Sequence, residues 1–146
     1  MLNSRRKPLY PFAIVGPLLI IVALTLAGCG QFSAFKELNV NDKNIPDYHE
    51  TGKAVLGEPG VGDFSGLWAT LEAEADELIE DDARKIAADY ITDNTKYSLV
   101  SVRIKSYGET FLAEYYKDAS AVEKAGLDKK FDKWPGLTFE EIPKDN

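Results

Sequence analysis

The sequence predicts an α+β fold in which a long kinked helix, or two helices, packs on a small antiparallel sheet containing a β-hairpin. Two patterns predict this fold: apolar residues recur every three or four positions over 64–91, and apolar and polar residues alternate over 100–105. A helix and a sheet that each bury one face can cover one another, so the patterns together favour a two-layer domain. We expect a flexible N-terminal tether before this domain.

The helical pattern runs from Phe64 to Ile91. Asp82 falls within the apolar stripe, where a buried carboxylate is costly, so we expect the helix to kink there or to restart with Asp81 or Asp82 as N-cap. Asp93 and the following asparagine are expected to end the helix. The stripe comprises Trp68, Leu71, Ala75, Leu78 and Ile79, and then Ala83, Ile86, Ala87, Tyr90 and Ile91.

The hairpin follows at residues 100–115. Val100, Val102 and Ile104 alternate with polar residues, and Gly108 with Glu109 suits the two central positions of a tight turn. Placing Tyr107 opposite Thr110 puts apolar pairs on one face of the hairpin and a pair of opposite charges on the other. In this register Ile104 pairs with Ala113, Val102 with Tyr115, and Arg103 with Glu114.

The C-terminal part predicts a short helix and a last strand. Ser120 and Glu123 have the spacing of a capping box, Asp118 is the alternative cap, and Gly126 is placed to end the helix. Residues 137–142 are expected to return to the sheet as its last strand. Before the predicted helix, residues 54–56 are a candidate for an edge strand.

The first 29 residues carry a targeting pattern. Three basic residues, Arg5, Arg6 and Lys7, precede an apolar run over 12–28, and no acidic residue occurs before Cys29. The run ends in Leu26, Ala27, Gly28 and Cys29, and this sequence resembles the lipobox of bacterial lipoproteins.

The resemblance implies that residues 1–28 are a cleaved signal peptide and that Cys29 carries a diacylglyceryl group on its sulfur. The membrane is then a partner through this lipid, because two or more acyl chains give stable anchoring. The expected domains are 1–28, signal peptide; 29–62, lipid-anchored tether; and 63–146, small α+β domain. The protein would lie on the outer side of the cytoplasmic membrane, or on an outer membrane where one exists. In the alternative, residues 12–28 stay uncleaved as a membrane anchor.

The charge balance narrows the classes of partner. The chain has 17 basic and 24 acidic side chains, and removal of the three basic residues before Cys29 leaves 14 − 24 = −10. A domain of this charge is expected to repel nucleic acid and anionic lipid headgroups, so we predict no nucleic-acid partner.

Few residues are available for catalysis or metal binding. Cys29 is the only cysteine and His49 the only histidine, so we predict no metal, no cofactor and no catalytic residue of the usual nucleophile arrangements. Residues 72–82 hold seven acidic side chains and no basic one. A solvated helix face is the expected reason, and a basic partner or a cation is the alternative.

A compact recognition patch is the candidate partner-binding site. Arg103, Lys105, Tyr116 and Trp134 would form it if the two aromatic side chains are exposed, because arginine, tyrosine and tryptophan dominate binding hot spots. The alternative is that the aromatic residues fill the core. The sequence therefore favours a non-enzymatic binding or accessory domain with a partner protein in the cell envelope. The alternative is a small cell-envelope hydrolase that uses Asp or Glu carboxylates.

Overall fold

Five strands form one mixed sheet in the order β1-β2-β3-β4-β5 in the computed structural model, which describes residues 32–143. Strands β2 and β3 are parallel, with α2 in the connection between them, and the other three neighbouring pairs are antiparallel. The elements in chain order are α1 (Ala34–Glu37), β1 (Tyr48–Glu58), β2 (Val61–Ala73), α2 (Glu80–Asn94), β3 (Leu99–Lys105), β4 (Thr110–Tyr116), α3 (Ala119–Lys124) and β5 (Gly136–Glu141).

Helices α1 and α2 pack on one face of the sheet, which we call the inner face. Alternate residues of the central strands point to this face, as the period of two requires. The core between the layers combines strand residues with the apolar stripe of α2. Its fully buried members include Leu67, Leu71, Ile86, Ile91, Val100, Val102 and Ile104.

The predicted fold class is wrong, because the structure has no long kinked helix on a small antiparallel sheet. Residues 61–73, expected to be helical, form β2, and the helix begins only at Glu80. The three-and-four spacing from Trp68 to Leu78 is a coincidence. In the structure Leu67, Ala69 and Leu71 are the alternate residues of β2 that point to the inner face. This alternation is hard to recognise in the sequence because small residues fill several of its positions.

The second half of the predicted helix is present as α2, over Glu80–Asn94. Its expected stripe is buried, including Ala83, Ile86 and Ile91. The predicted cap at Asp81 or Asp82 is wrong, since Ile79 occupies the N-cap position without a side-chain hydrogen bond. The three acidic residues of the first turn instead lie where the helix dipole favours negative charge.

The expected flexible tether over 29–62 is also wrong for its described part. Ala34 and Phe35 of α1 are buried in the core, and the Ala34 N–H donates to Thr92 Oγ1 at 3.2 Å. The glycine-rich stretch that follows contains β1, an edge strand of 11 residues. Nearly every residue of β1 is exposed, so the strand shows no apolar alternation by which the sequence could identify it.

The predicted hairpin between β3 and β4 is present, but its register is shifted by two residues. Ile104 pairs with Phe111 and Val102 with Ala113. A shift of two keeps every side chain on its expected face, and Ser106–Glu109 becomes a four-residue loop. In α3 the cap is Asp118, whose carboxylate accepts from Ala121 N at 3.0 Å.

The other face of the sheet, the outer face, is only partly covered. Near the ends where β3 begins and β4 terminates, a second apolar cluster packs Tyr116 and Leu99 against Val122 of α3 and Phe131 of the following loop. Beyond this cluster no helix covers the outer face within residues 32–143. The uncovered part is open to solvent and is the candidate surface for recognition.

Candidate functional site

A shallow groove of about 370 Å³ lies on the uncovered part of the outer face, and we call it the outer groove. It crosses β1, β2, β3 and β4. The lining residues are Gly52, Lys53, Ala54, Trp68, Ala69, Thr70, Ser101, Arg103 and Leu112.

Trp68 forms the apolar wall of the outer groove. Its indole lies over Gly66, where a Cβ would stand only 2.4 Å from Trp68 Cη2, so only glycine accommodates the ring in this position. The side chain remains 37% exposed. A broad aromatic surface is therefore presented to solvent in a fixed orientation, as is typical of binding anchors.

Arg103 is the charged side chain that the outer face contributes to the groove. Arg103 stands between Thr70 and Leu112 in register, is exposed, and has no carboxylate within ion-pair distance among residues 32–143. Lys53 also lines the groove, but it pairs in register with the inward-facing Ala69, and its amine forms an exposed ion pair at 3.3 Å with Glu50, which contacts α2 on the inner side. In a chain of net charge −7, the groove thus offers a guanidinium that is free to bind an anion.

Glu114 fixes the boundary between the covered and uncovered parts of the outer face. Its Oε2 accepts from the Tyr116 hydroxyl at 2.9 Å and from Thr138 Oγ1 at 3.4 Å, and it pairs with Lys129. Burial, and then the nearby Glu114 carboxylate, raises the pKa of Tyr116 to about 12. This network ties β4 to β5 and to the loop after α3.

The structure does not bring the four predicted patch residues together. Arg103 and Lys105 are exposed on the outer face, but Tyr116 is fully buried and belongs to the core. Trp134 is 39% exposed and packs edge-on against Phe131, with ring centroids 5.2 Å apart. Tyr116 pairs with Leu99, which precedes Arg103 by four residues in β3. About 13 Å of strand therefore separates the position of Tyr116 from that of Arg103.

Sequence reasoning missed Trp68, because it was assigned to the core stripe of a helix. The signal that identifies it is the two-residue period of β2, in which Gly66, Trp68, Thr70 and Glu72 share one face. Only a strand assignment for 61–73 would have placed Trp68 beside Arg103.

A second cleft, lined mainly by acidic side chains, lies where β2 ends and β1 begins, at the end of the sheet away from the cluster of Tyr116 and Leu99. It is lined by His49, Glu72, Glu74, Asp76 and Tyr107, with neighbouring backbone. The His49 and Glu74 side chains are 54% and 62% exposed and lie 3.8 Å apart. A general acid for glycoside hydrolysis needs an apolar pocket to raise its pKa, and this cleft is open to water. The geometry therefore offers little support for the hydrolase alternative.

Two tyrosines on the inner side, the partly buried Tyr48 and the buried Tyr90, hold α2 to β1. The Tyr48 hydroxyl donates to Asp89 Oδ2 at 2.7 Å, and the Tyr90 hydroxyl donates to Glu50. Burial, followed by these hydrogen bonds, raises the pKa of both tyrosines above the ordinary value. The bond from Tyr90 lowers the pKa of Glu50. These contacts are structural and lie away from the outer groove.

Several predictions fall on residues that the structure does not describe. The lipobox residues Leu26, Ala27 and Gly28, and Cys29 itself, lie outside residues 32–143. Within that described range, no cluster of three or more His, Cys, Asp or Glu side chains is arranged to hold a metal ion. Within the same range, no helix is long and apolar enough to cross a bilayer.

No protein-family model, no curated protein and no solved structure matches this chain.

Proposed function

We propose that this protein is an exported lipoprotein, anchored through lipid on Cys29, whose domain is a non-enzymatic binding module. The proposed location rests on the sequence Leu26, Ala27, Gly28, Cys29, which follows a basic N-terminal segment and an apolar run. Two acyl chains on the cysteine hold the mature protein stably at the membrane without a spanning helix.

The outer groove supports the binding role. Trp68 presents a fixed aromatic wall, and Arg103 presents a guanidinium that has no acidic partner among the described residues. This combination suits a carboxylate-bearing, extended segment of an envelope protein, because arginine binds a carboxylate through two parallel hydrogen bonds. The strands of the groove are rigid, so little ordering entropy opposes binding.

Intact-mass analysis of the membrane-extracted protein tests the anchor. The wild type is expected to have lost residues 1–28 and gained a diacylglyceryl group, and Cys29→Ala is expected to show neither change. A full-length wild-type chain without lipid would refute the lipoprotein assignment.

Photo-crosslinking in intact cells tests the outer groove. A photoreactive amino acid at Thr70, which is partly exposed within the groove, should form one defined product with an envelope protein. Arg103→Glu is expected to abolish the product. Lys117→Glu makes the same change of charge at an exposed site outside the groove and should preserve it. Equal products in both variants, or no product with the wild type, would refute binding through the groove.

A further inference from the structure

The described domain begins close to the proposed lipid. Phe32 already packs in the core, with its ring 5.3 Å from that of Tyr115, and it follows Cys29 by only three residues. Three residues span at most about 11 Å. If Cys29 is lipidated, the domain cannot move far from the bilayer, and the part of the domain near Phe32 must lie at the membrane surface.

One end of the sheet is therefore the proximal end, defined by the start of β3, the end of β4 and the start of β5. Tyr115 stands in register with Val100 and Leu137 at this end. The turn between β1 and β2, helix α3 and the loop 125–135 belong to the same end. Lys124 of α3 connects them, because its Nζ lies 3.3 Å from Asp63 Oδ2 near the turn.

The β1–β2 hairpin extends past the first residue of β3 at the proximal end, where its tip and the start of α3 line one cavity. Residues 61–65 of β2 precede Gly66, the first residue paired with β3. Val61 is six residues before Leu67, which shares a row with Tyr115 through Val100, so the hairpin reaches up to about 20 Å past that row. This upper limit exceeds the roughly 11 Å that the three residues leading back to Cys29 can span, so the hairpin tip is long enough to reach the same surface.

Half of the exposed large apolar side chains of the described residues lie at the proximal end. Among residues 32–143, eight large apolar side chains are exposed, and four of them lie there: Leu56, Val61, Leu127 and Trp134. Val61 and Leu56 are the most exposed of the four, at 61% and 60%. Aliphatic and tryptophan side chains are favoured at the boundary between headgroups and acyl chains.

The excess of negative charge is smaller at the proximal end than at the opposite, distal end of the sheet. Residues 117–133 of the proximal end hold five lysines and four acidic side chains, and the hairpin adds Glu58 and Asp63. Residues 72–82 at the other end hold seven acidic side chains and no basic one, and Arg84 and Lys85 pair with three of the seven. The expected repulsion between this acidic chain and anionic headgroups therefore acts mainly on the distal end. Lysines are attracted to the negative surface of phospholipid membranes.

From these observations we infer that the proximal end is a membrane-contacting surface, with the tip of the β1–β2 hairpin seated among phospholipid headgroups and the acidic end directed away. The inference rests on the proposed lipid at Cys29. Glu58 in the turn is exposed, and a carboxylate is costly in hydrocarbon, so the tip lies at headgroup depth. The outer groove then stands beside the bilayer and is accessible from the side.

Site-specific fluorescence of the lipidated protein in vesicles tests the orientation. The lipid blocks Cys29, so Val61→Cys, Leu127→Cys and Tyr107→Cys each introduce a single reactive thiol. Tyr107 is 93% exposed at the distal end and is the matched control. The vesicles contain phosphatidylethanolamine and phosphatidylglycerol, the label is an environment-sensitive dye, and the quenchers are aqueous iodide and lipids spin-labelled at the headgroup.

We expect iodide to quench the labels at 61 and 127 at least about threefold less than the label at 107, because the headgroup layer shields them. The spin-labelled lipids should quench the labels at 61 and 127 and leave the label at 107 bright. Equal iodide quenching at 61 and 107 would overturn the inference. Shielding that appears only at high protein-to-lipid ratio would also overturn it, because a second copy of the chain would then be the cover.

The two proposals fail in distinguishable ways. Protein whose mass shows no lipid at Cys29 contradicts both. Lipidated protein with equal quenching at both ends contradicts the membrane contact alone and leaves the lipoprotein assignment standing.

Discussion

Replacing Glu114 with alanine is expected to destabilise the domain strongly, although the side chain lies on the largely uncovered face. The carboxylate accepts from the hydroxyl of Tyr116, which is completely buried, and pairs with Lys129. In Glu114→Ala the Tyr116 hydroxyl loses the acceptor of its hydrogen bond, which costs about 1–3 kcal/mol. The ion pair adds about 1 kcal/mol, since the Lys129 side chain is 33% exposed and water screens it.

The expected loss is therefore about 3 kcal/mol, a large part of the roughly 5–15 kcal/mol by which a domain is stable. Urea unfolding followed by circular dichroism measures it, and for a slope of about 1–3 kcal/mol per molar the midpoint should fall by about 1–3 M. Glu123→Ala removes an exposed carboxylate of α3 and should change stability by less than about 0.5 kcal/mol. Equal effects of the two substitutions would refute the assignment of Glu114 as the acceptor that holds this network together.

Three further predictions concern the same domain. Between pH of about 10 and about 12 the unfolded chain loses the Tyr116 proton while the folded domain, with a pKa of about 12, retains it, so stability should fall as pH rises. Tyr116→Phe should flatten that fall in urea titrations, and an unchanged slope would contradict burial of the hydroxyl. Gly66→Val should displace the Trp68 indole and shift its emission to the red in a Trp134→Phe background, whereas an unmoved spectrum would contradict the stacking over glycine. Asp118→Ala should cost about 1 kcal/mol in urea unfolding through loss of the N-cap bond, and no measurable loss would count against that cap.

The sequence predicts those elements whose pattern is set by burial on one face only. Val100, Val102 and Ile104 alternate with polar residues because β3 is covered on one side, so the hairpin is identified correctly. Its register is not, because a shift of two residues preserves both faces. Only the conformation of the loop over 106–109 decides between the two registers, and apolar alternation contains no information about it.

The elements that sequence reasoning misses have physical reasons for their weak signals. Strand β1 is an exposed edge, so burial imposes no apolar period on it. Strand β2 has small residues, Ala69 and Ala73, at inward positions where larger apolar residues would mark the alternation. The candidate site depends on this strand, and for that reason the outer groove at Trp68 could not be found before the structure.

The parallel pairing of β2 with β3 has a consequence for how the domain opens. Within residues 61–73, the first four positions pair at most with β1, Ser65 O accepts from Ser98 N, and positions from Gly66 onward lie between two strands. Amide hydrogen exchange should therefore change sharply within one strand. Amides near the turn should exchange through local fluctuations, and those of Leu67 to Leu71 only when the whole sheet unfolds. One strand thus joins a segment that can adapt to its surroundings to the most persistent part of the molecule.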